Sequence, residues 1–350
     1  MRNWKELLMF CPVHIWFGKQ VKFNFFPLLE MSSWSRTQNV YTPGSGKSTS
    51  PAPAALTPKR DLPHVHYNVP VRADTAVLMV FFNPAQSFRI IQNLLYIKQK
   101  LEAAHIPYFI GELAYNDAVH MLTPADNVFQ MRGTSYMFSK ENIAQTMLLQ
   151  TAVARYSKYV LLDCDVVFED PTWIDSISTA LDTHDVGQPF TYVNQLDIKF
   201  KSDVVKTSIV KDNRDGHTGY AWAFRRDWWE RAGLYEYALI GGGDKCLAHM
   251  AGVELAWLPK PYLADVPPRI ETRVNYLDGT IWHLPHGSLE KRKYVERAAT
   301  LSDAMRSLRI ARLRDAVERN HDGIFEWKSQ YKATMNALLL NYFKSREDDG

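Results

Sequence analysis

Leu161 to Asp170 reads LLDCDVVFED and sets two carboxylates, Asp163 and Asp165, one residue apart at the end of an apolar run. Two carboxylates so placed could hold one hard divalent cation through oxygen, since side chains at i and i+2 of a strand share a face. Asp-x-Asp is also a common way for a strand to leave the core, so both readings stand on this stretch alone. Downstream, Gly241-Gly242-Gly243-Asp244 delivers an acid at a predicted helix start. Three glycines allow unusual backbone angles and close approach, whereas a simple N-cap needs only Asp244. Ile281-Trp282-His283-Leu284-Pro285-His286-Gly287 adds two imidazoles at i and i+3. No Cys/His set accompanies them as zinc would require, but one imidazole beside carboxylates suits Mn²⁺. Before the triple glycine, Gly219 would let a ligand approach the backbone, and Tyr220 and Trp222 could stack on a sugar or base.

These residues need a frame. Tyr159-Val160-Leu161-Leu162 has no polar face and reads as a fully buried strand; in open α/β sheets ligands gather at the carboxyl ends of such strands. Ahead of it, Ala76–Phe82 reads as a strand ending at Asn83-Pro84, followed by helical spacing through Ile90, Leu94, Ile97 and Leu101. Ile106–Ile110 reads as a second strand stopping at Gly111-Glu112, and a second helix is predicted over 139–155. This β-α-β-α-β order predicts a parallel sheet with helices on its faces. A helix over 173–181 and shorter strands follow, and two closing helices are predicted over 289–320 and 326–343.

The totals exclude several classes. The 350 residues, 46% hydrophobic and 13% aromatic, describe a globular chain. A net charge of +3 without a basic, aromatic-interleaved stripe argues against nucleic acid as a partner. Cys11, Cys164 and Cys246 form no disulfide framework, which suits a reducing compartment, and a cytoplasmic location is expected. LLMFCPVHIWF (Leu7–Phe17) is shorter than the ~20 residues of a transmembrane span. Residues 32–62 are rich in Ser, Thr, Pro and Gly and read as a linker. Within it, GSGKST (Gly44–Thr49) is not a phosphate-binding loop: Tyr41 stands where that pattern needs glycine, and no strand or helix flanks it.

Taken in order, FFNP (Phe81–Pro84), Glu112, Lys140-Glu141-Asn142, LLDCDVVF, TGYAWAFRR, GGGD, HLPHG and YFKSRED (Tyr342–Asp348) resemble a GT-A-fold glycosyltransferase. The nearest group is the glycosyltransferase-2-like proteins with a galactosyltransferase-like C-terminal half. The resemblance covers about residues 71–348 and implies a Rossmann-type nucleotide-binding sheet with helices on both faces, plus C-terminal helices. It divides the chain into a disordered extension and linker (1–70), a GT-A catalytic domain (71–288) and a helical segment packed on it (289–350).

The resemblance also implies roles. Phe82, Asn83 and Glu112, with Lys140 and Asn142, would hold the nucleotide of a nucleotide-sugar donor. Asp163 and Asp165 would bind Mn²⁺ (or Mg²⁺), with His286, or else His283, as a further ligand. Gly219, Tyr220, Trp222, Gly242 and Gly243 would face the sugar and a carbohydrate acceptor. Asp244 would be the general base on the acceptor hydroxyl, inverting the anomeric centre. Ile240 to Asp244 departs from the Trp-Gly-Gly-Glu-Asp usual in galactosyltransferases. Two other readings use the same residues: a haloacid-dehalogenase-type phosphatase built on Asp163-Cys164-Asp165, and a non-catalytic sugar- or nucleotide-binding protein on a degenerate transferase scaffold. The basic run Arg306, Arg309, Arg312 and Arg314 reads as a solvated helix face or as a peripheral membrane contact.

Overall fold

The computed structural model describes residues 62–63, 65–67, 73–288 and 290–349. LLMFCPVHIWF, GSGKST and most of the expected linker lie outside the described residues. Val65 and Tyr67 do not behave as linker: Val65 is buried, and the Tyr67 hydroxyl accepts the Phe168 N–H at 3.1 Å.

In chain order the elements are β1 (Thr75–Phe82), α1 (Phe88–Ala103), β2 (Tyr108–Tyr115), β3 (Val128–Gly133), α2 (Lys140–Leu148) and α3 (Thr151–Ala154). Next come β4 (Lys158–Leu162), β5 (Val166–Phe168), α4 (Trp173–Ala180), β6 (Val186–Gln188), β7 (Tyr192–Leu196), β8 (Ser202–Thr207) and β9 (Ala221–Arg225). The remainder is α5 (Arg226–Ala232), α6 (Gly243–Met250), β10 (Val274–Tyr276), β11 (Thr280–His283), α7 (Glu296–Ser307), β12 (Val317–Arg319), β13 (Phe325–Trp327) and α8 (Ser329–Ser345).

The main sheet has seven strands in the order β10-β6-β9-β4-β1-β2-β3. All pairs are parallel except those made by β9, which runs antiparallel to both β4 and β6. Period-2 alternation sends Val77, Met79, Val160 and Leu162 to one face, and Ala76, Leu78, Tyr159 and Leu161 to the other. On the first face α1 packs Ile91, Leu94, Ile97 and Leu101, and α4 adds Trp173 and Ile177. On the second lie Ile143 and Met147 of α2, Trp228 of α5 and Leu247 of α6. Each such aliphatic side chain contributes about 1.5–3 kcal/mol by leaving water. The chain is therefore α/β with helices on both sheet faces, as expected. A four-stranded sheet, β5-β11-β7-β8, extends the first face, and the β12-β13 hairpin joins α7 and α8 in a third cluster.

Several boundaries differ from the sequence reading. β2 runs straight through Gly111-Glu112, because Gly111 is a packing site and not a stop. A Cβ there would overlap Ile143 of α2, so the glycine lets that helix lie against the sheet. The helix expected over 139–155 breaks at Leu149-Gln150. The one expected over 289–320 ends at Ser307 and gives way to β12, and Gly323 (φ +78°) turns the chain into β13. Consequently the basic run does not share one helix face. Arg306 lies on α7, Arg312 pairs with Asp315 at 2.8 Å, and Arg314 reaches the buried Asp265 at 3.1 Å. Among the described residues, no helix is long and apolar enough to cross a membrane.

Candidate active site

Asp163 and Asp165 do not continue β4; they occupy the turn between β4 and β5, so the shared-face geometry of a strand does not apply to them. The turn sends the carboxylates apart. Asp163 accepts the Tyr220 N–H at 3.1 Å, while its own N–H donates to the Tyr220 carbonyl at 2.9 Å. Its other oxygen lies 2.6 Å from Lys140 Nζ. Asp165 instead turns to the end of β11, where its Oδ2 meets His286 Nε2 at 2.7 Å and His283 Nε2 at 3.5 Å. Asp165, His283 and His286 offer ligand atoms within 4.8 Å of one another.

Tyr220 sits at φ +83°, a conformation that is uncommon outside glycine and found at functional positions. It also explains a misreading. Tyr220 and Trp222 have strand spacing, but the positive φ redirects the chain just before β9. Tyr220 therefore packs on the face shared with His283, at 5.2 Å between rings, while Trp222 enters the opposite core and donates to the Thr218 carbonyl at 2.7 Å.

Asp244 stands in the first turn of α6, and the N-cap is Gly242, so the acid is not merely a cap. The triple glycine has a physical account. Gly241 and Gly242 adopt φ +83° and +89°, and a Cβ on Gly243 would overlap the buried Glu141 carboxyl. Lys140 then ties the two acidic centres, with Nζ 2.8 Å from Asp244 Oδ1 as well as 2.6 Å from Asp163. Gly243→Ala is expected to push Glu141 aside and lower stability by about 1–3 kcal/mol, as for other overpacked sites. A thermal melt of the variant checks this, and an unchanged Tm would refute the close packing.

Charge is concentrated here. Burial lowers the tendency of Lys140 to stay protonated, yet Asp163, Asp244 and Glu141 outweigh it and hold its pKa well above the usual lysine value. Burial raises Glu141 to about 8 and Asp163 to about 6; the neighbouring acids add to both, and Lys140 opposes. Burial also keeps His283 neutral, pushed down to about 4. Asp165 stays well below the normal range despite its own burial, because the imidazoles of His283 and His286 face it.

The residues fit a divalent cation. Asp165 Oδ1 and His283 Nδ1 are buried without a hydrogen-bond partner among the described residues. One hard oxygen donor with two imidazoles suits Mn²⁺ among other divalent ions. Asp163, by contrast, has both oxygens engaged by Lys140 and Tyr220.

A cavity of about 490 Å³ opens over this cluster. Phe82, Asn83, Lys140, Asp163, Asp165, Gly219, Tyr220, Gly242, Gly243, Asp244, His283 and His286 all line it. The structure places three expected site residues elsewhere. Glu112 is buried and accepts the Met121 and Leu122 N–H groups at 2.5 and 3.2 Å, closing a loop. Asn142 accepts the Phe325 N–H at 2.9 Å and donates to Glu236 at 2.9 Å, so it anchors the β12-β13 hairpin. Trp222 belongs to the core. Asn142→Ala would orphan a buried N–H and should cost about 1–3 kcal/mol in chemical denaturation while leaving ligand binding intact. A variant with normal stability and impaired binding would reverse this assignment.

Sequence reasoning missed Glu141, Asp348 and the basic wall formed by Lys206, Arg292, Arg297 and Arg346. Glu141 and Asp348 lay inside stretches already singled out, but their partners are far along the chain. These four basic side chains line the same cavity as the acids and would suit an anionic ligand bridged to a cation.

No protein-family model and no curated protein matches the sequence. Solved structures similar to the chain include glycosyltransferases. The catalytic domain of Drosophila beta1,4-galactosyltransferase 7 with xylobiose is 13% identical over 49% of this chain, with a TM-score of 0.29. A second structure of that enzyme, with manganese, UDP-Gal and xylobiose, is 11% identical over 50% of this chain, at a TM-score of 0.30. The chain spans 58% and 59% of those two chains. A glycosyltransferase involved in glycosylation of the major capsid of PBCV-1 is 11% identical over 65% of this chain and 98% of its own, at a TM-score of 0.28. At these TM-scores the functional assignment rests on the site itself.

Proposed function

We propose that the protein is a glycosyltransferase of the hexosyltransferase type, moving a sugar from a nucleotide-sugar donor to a carbohydrate hydroxyl with inversion. The observation that carries this reading is a juxtaposition. One cavity holds the Asp165-His283-His286 cluster, an acid on a triple-glycine helix start, and a lysine bonded to both acidic centres. Asp165, His283 and His286 would hold Mn²⁺ or Mg²⁺, which when bound supplies Lewis-acid stabilisation of a departing nucleoside diphosphate.

The chain's own groups do the rest. Asp244, 22% exposed at its side chain, faces the cavity and would take the proton of the acceptor hydroxyl. Lys140 fixes the orientation of that carboxylate and also binds Asp163, which is itself pinned to the Tyr220 backbone. Phe82 and Asn83 line the same cavity at the end of β1, where a nucleotide base would rest. Gly219 and Gly242 line the cavity and leave room for a sugar ring against the backbone, whereas the space beside Gly243 is filled by Glu141. A dehalogenase-type phosphatase would need a free nucleophilic carboxylate at Asp163, and both of its oxygens are engaged.

Calorimetric titration of UDP, GDP and dTDP, each with Mn²⁺ and with chelator, tests the proposal. Metal-dependent binding of one nucleotide would support it and name the donor's base. Failure of every nucleotide under both conditions would rule it out.

A further inference from the structure

His286 is gripped from behind by a residue 62 positions away: its Nδ1 lies 3.2 Å from Asp348 Oδ1. On the other side of the ring, Nε2 faces Asp165 Oδ2 at 2.7 Å and receives Arg292 Nη2 at 2.9 Å. Asp165 and Asp348 can only accept and Arg292 can only donate, so Nε2 meets a competing acceptor and donor; the contacts fix the place of the ring and not one tautomer. A proton on Nδ1 would satisfy Asp348 and leave the Nε2 lone pair for a cation in front of Asp165. Arg346 Nη2 also approaches Nδ1, but at 3.5 Å, and it points more directly at Asp348, at 3.1 Å.

The placement of Asp348 is itself built. Asp348 is 5% exposed. The next residue, Asp349, accepts from Ser87 Oγ at 2.6 Å and from the Arg89 N–H at 2.8 Å, fastening the segment to the start of α1. On the facing loop Gly287 takes φ +68°, and a Cβ there would come within 2.8 Å of the Arg346 carbonyl oxygen. The segment after α8 thus lies backbone-to-backbone on the His286-Gly287 turn.

We propose that Asp348 is a positioning residue for the cation site, holding the His286 ring through Nδ1 so that Nε2 faces Asp165 and a cation bound there. The inference rests on the metal-binding reading given above. A carboxylate on the far nitrogen of a ligating imidazole orients the ring and raises its basicity, and losing it typically weakens metal affinity about 10–100-fold.

The test is Mn²⁺ titration of the full chain followed by electron paramagnetic resonance, without nucleotide, alongside thermal melts. Wild type should bind Mn²⁺, and Asp348→Ala should bind it about 10–100-fold more weakly. Asp348→Asn, neutral but still able to accept the hydrogen bond, should fall between them. Glu347→Gln, whose side chain is 57% exposed and pairs with Lys291, should match wild type. Should the alanine variant fail to fold, Asp348→Asn carries the comparison. A purely structural Asp348 would lower Tm while folded variants kept wild-type Mn²⁺ affinity, and that result overturns the inference alone. Wild type that binds no Mn²⁺ overturns the metal reading and this inference with it.

Discussion

Asp165→Asn is expected to remove metal-dependent nucleotide binding. The change keeps the shape of the side chain and deletes the one anionic member of the Asp165-His283-His286 cluster. Its Oδ2 is the atom that meets both imidazoles, and its Oδ1 is buried without a partner among the described residues, so an amide would present a neutral, partly misdirected donor there. The loss in Mn²⁺ affinity should exceed about 100-fold, beyond the range typical of an outer-shell partner. The fold should survive, because β4 and β5 are held by ladders that do not involve this side chain. Calorimetry with Mn²⁺ and UDP, GDP or dTDP is the check; wild-type affinity in the variant would remove Asp165 from the site.

Asp244→Asn should separate chemistry from binding. A general base contributes about 10²–10⁴-fold in rate, so kcat should fall by that factor. Nucleotide affinity should stay within about threefold, since the cation cluster is built from Asp165, His283 and His286 and Asp163 keeps its own contact with Lys140 at 2.6 Å. The measurement is steady-state transfer with the donor identified by the nucleotide screen. If kcat changes by less than threefold, Asp244 is not the base, and the neighbouring Glu141 becomes the group to replace.

Much of the frame was legible because it depends on local pattern. The buried strand ending at Leu162, the helix carrying Ile91, Leu94, Ile97 and Leu101, and the glycine-led start of α6 follow from periodicity and turn chemistry. What escaped was long-range. Gly111 reads locally as a strand end, and only the approach of Ile143 shows why glycine stands there. Tyr220 and Trp222 share strand spacing, and only a positive φ at Tyr220 reveals that they part to opposite faces. Asn142 and Glu112 are polar and sit beside site residues in sequence, so they resemble ligand contacts. Their hydrogen bonds go to Phe325 and to Met121 and Leu122, partners that no local pattern discloses. Both members of the Asp-x-Asp pair line the cavity, but a turn after β4 gives each carboxylate a different neighbour.

The reversed strand β9 has a consequence for how the molecule comes into being. It alone fills the gap between β4 and β6, so β4 gains its second hydrogen-bonded neighbour from a segment about sixty residues further on. During synthesis, at about 5–20 residues per second, β4 waits some seconds with one flank unpaired, the state most open to wrong pairing with another nascent chain. Tyr220, which locks Asp163, arrives on that same segment immediately before β9. Closing the sheet and ordering the acidic turn are thus one event, and no half-built chain carries a finished site.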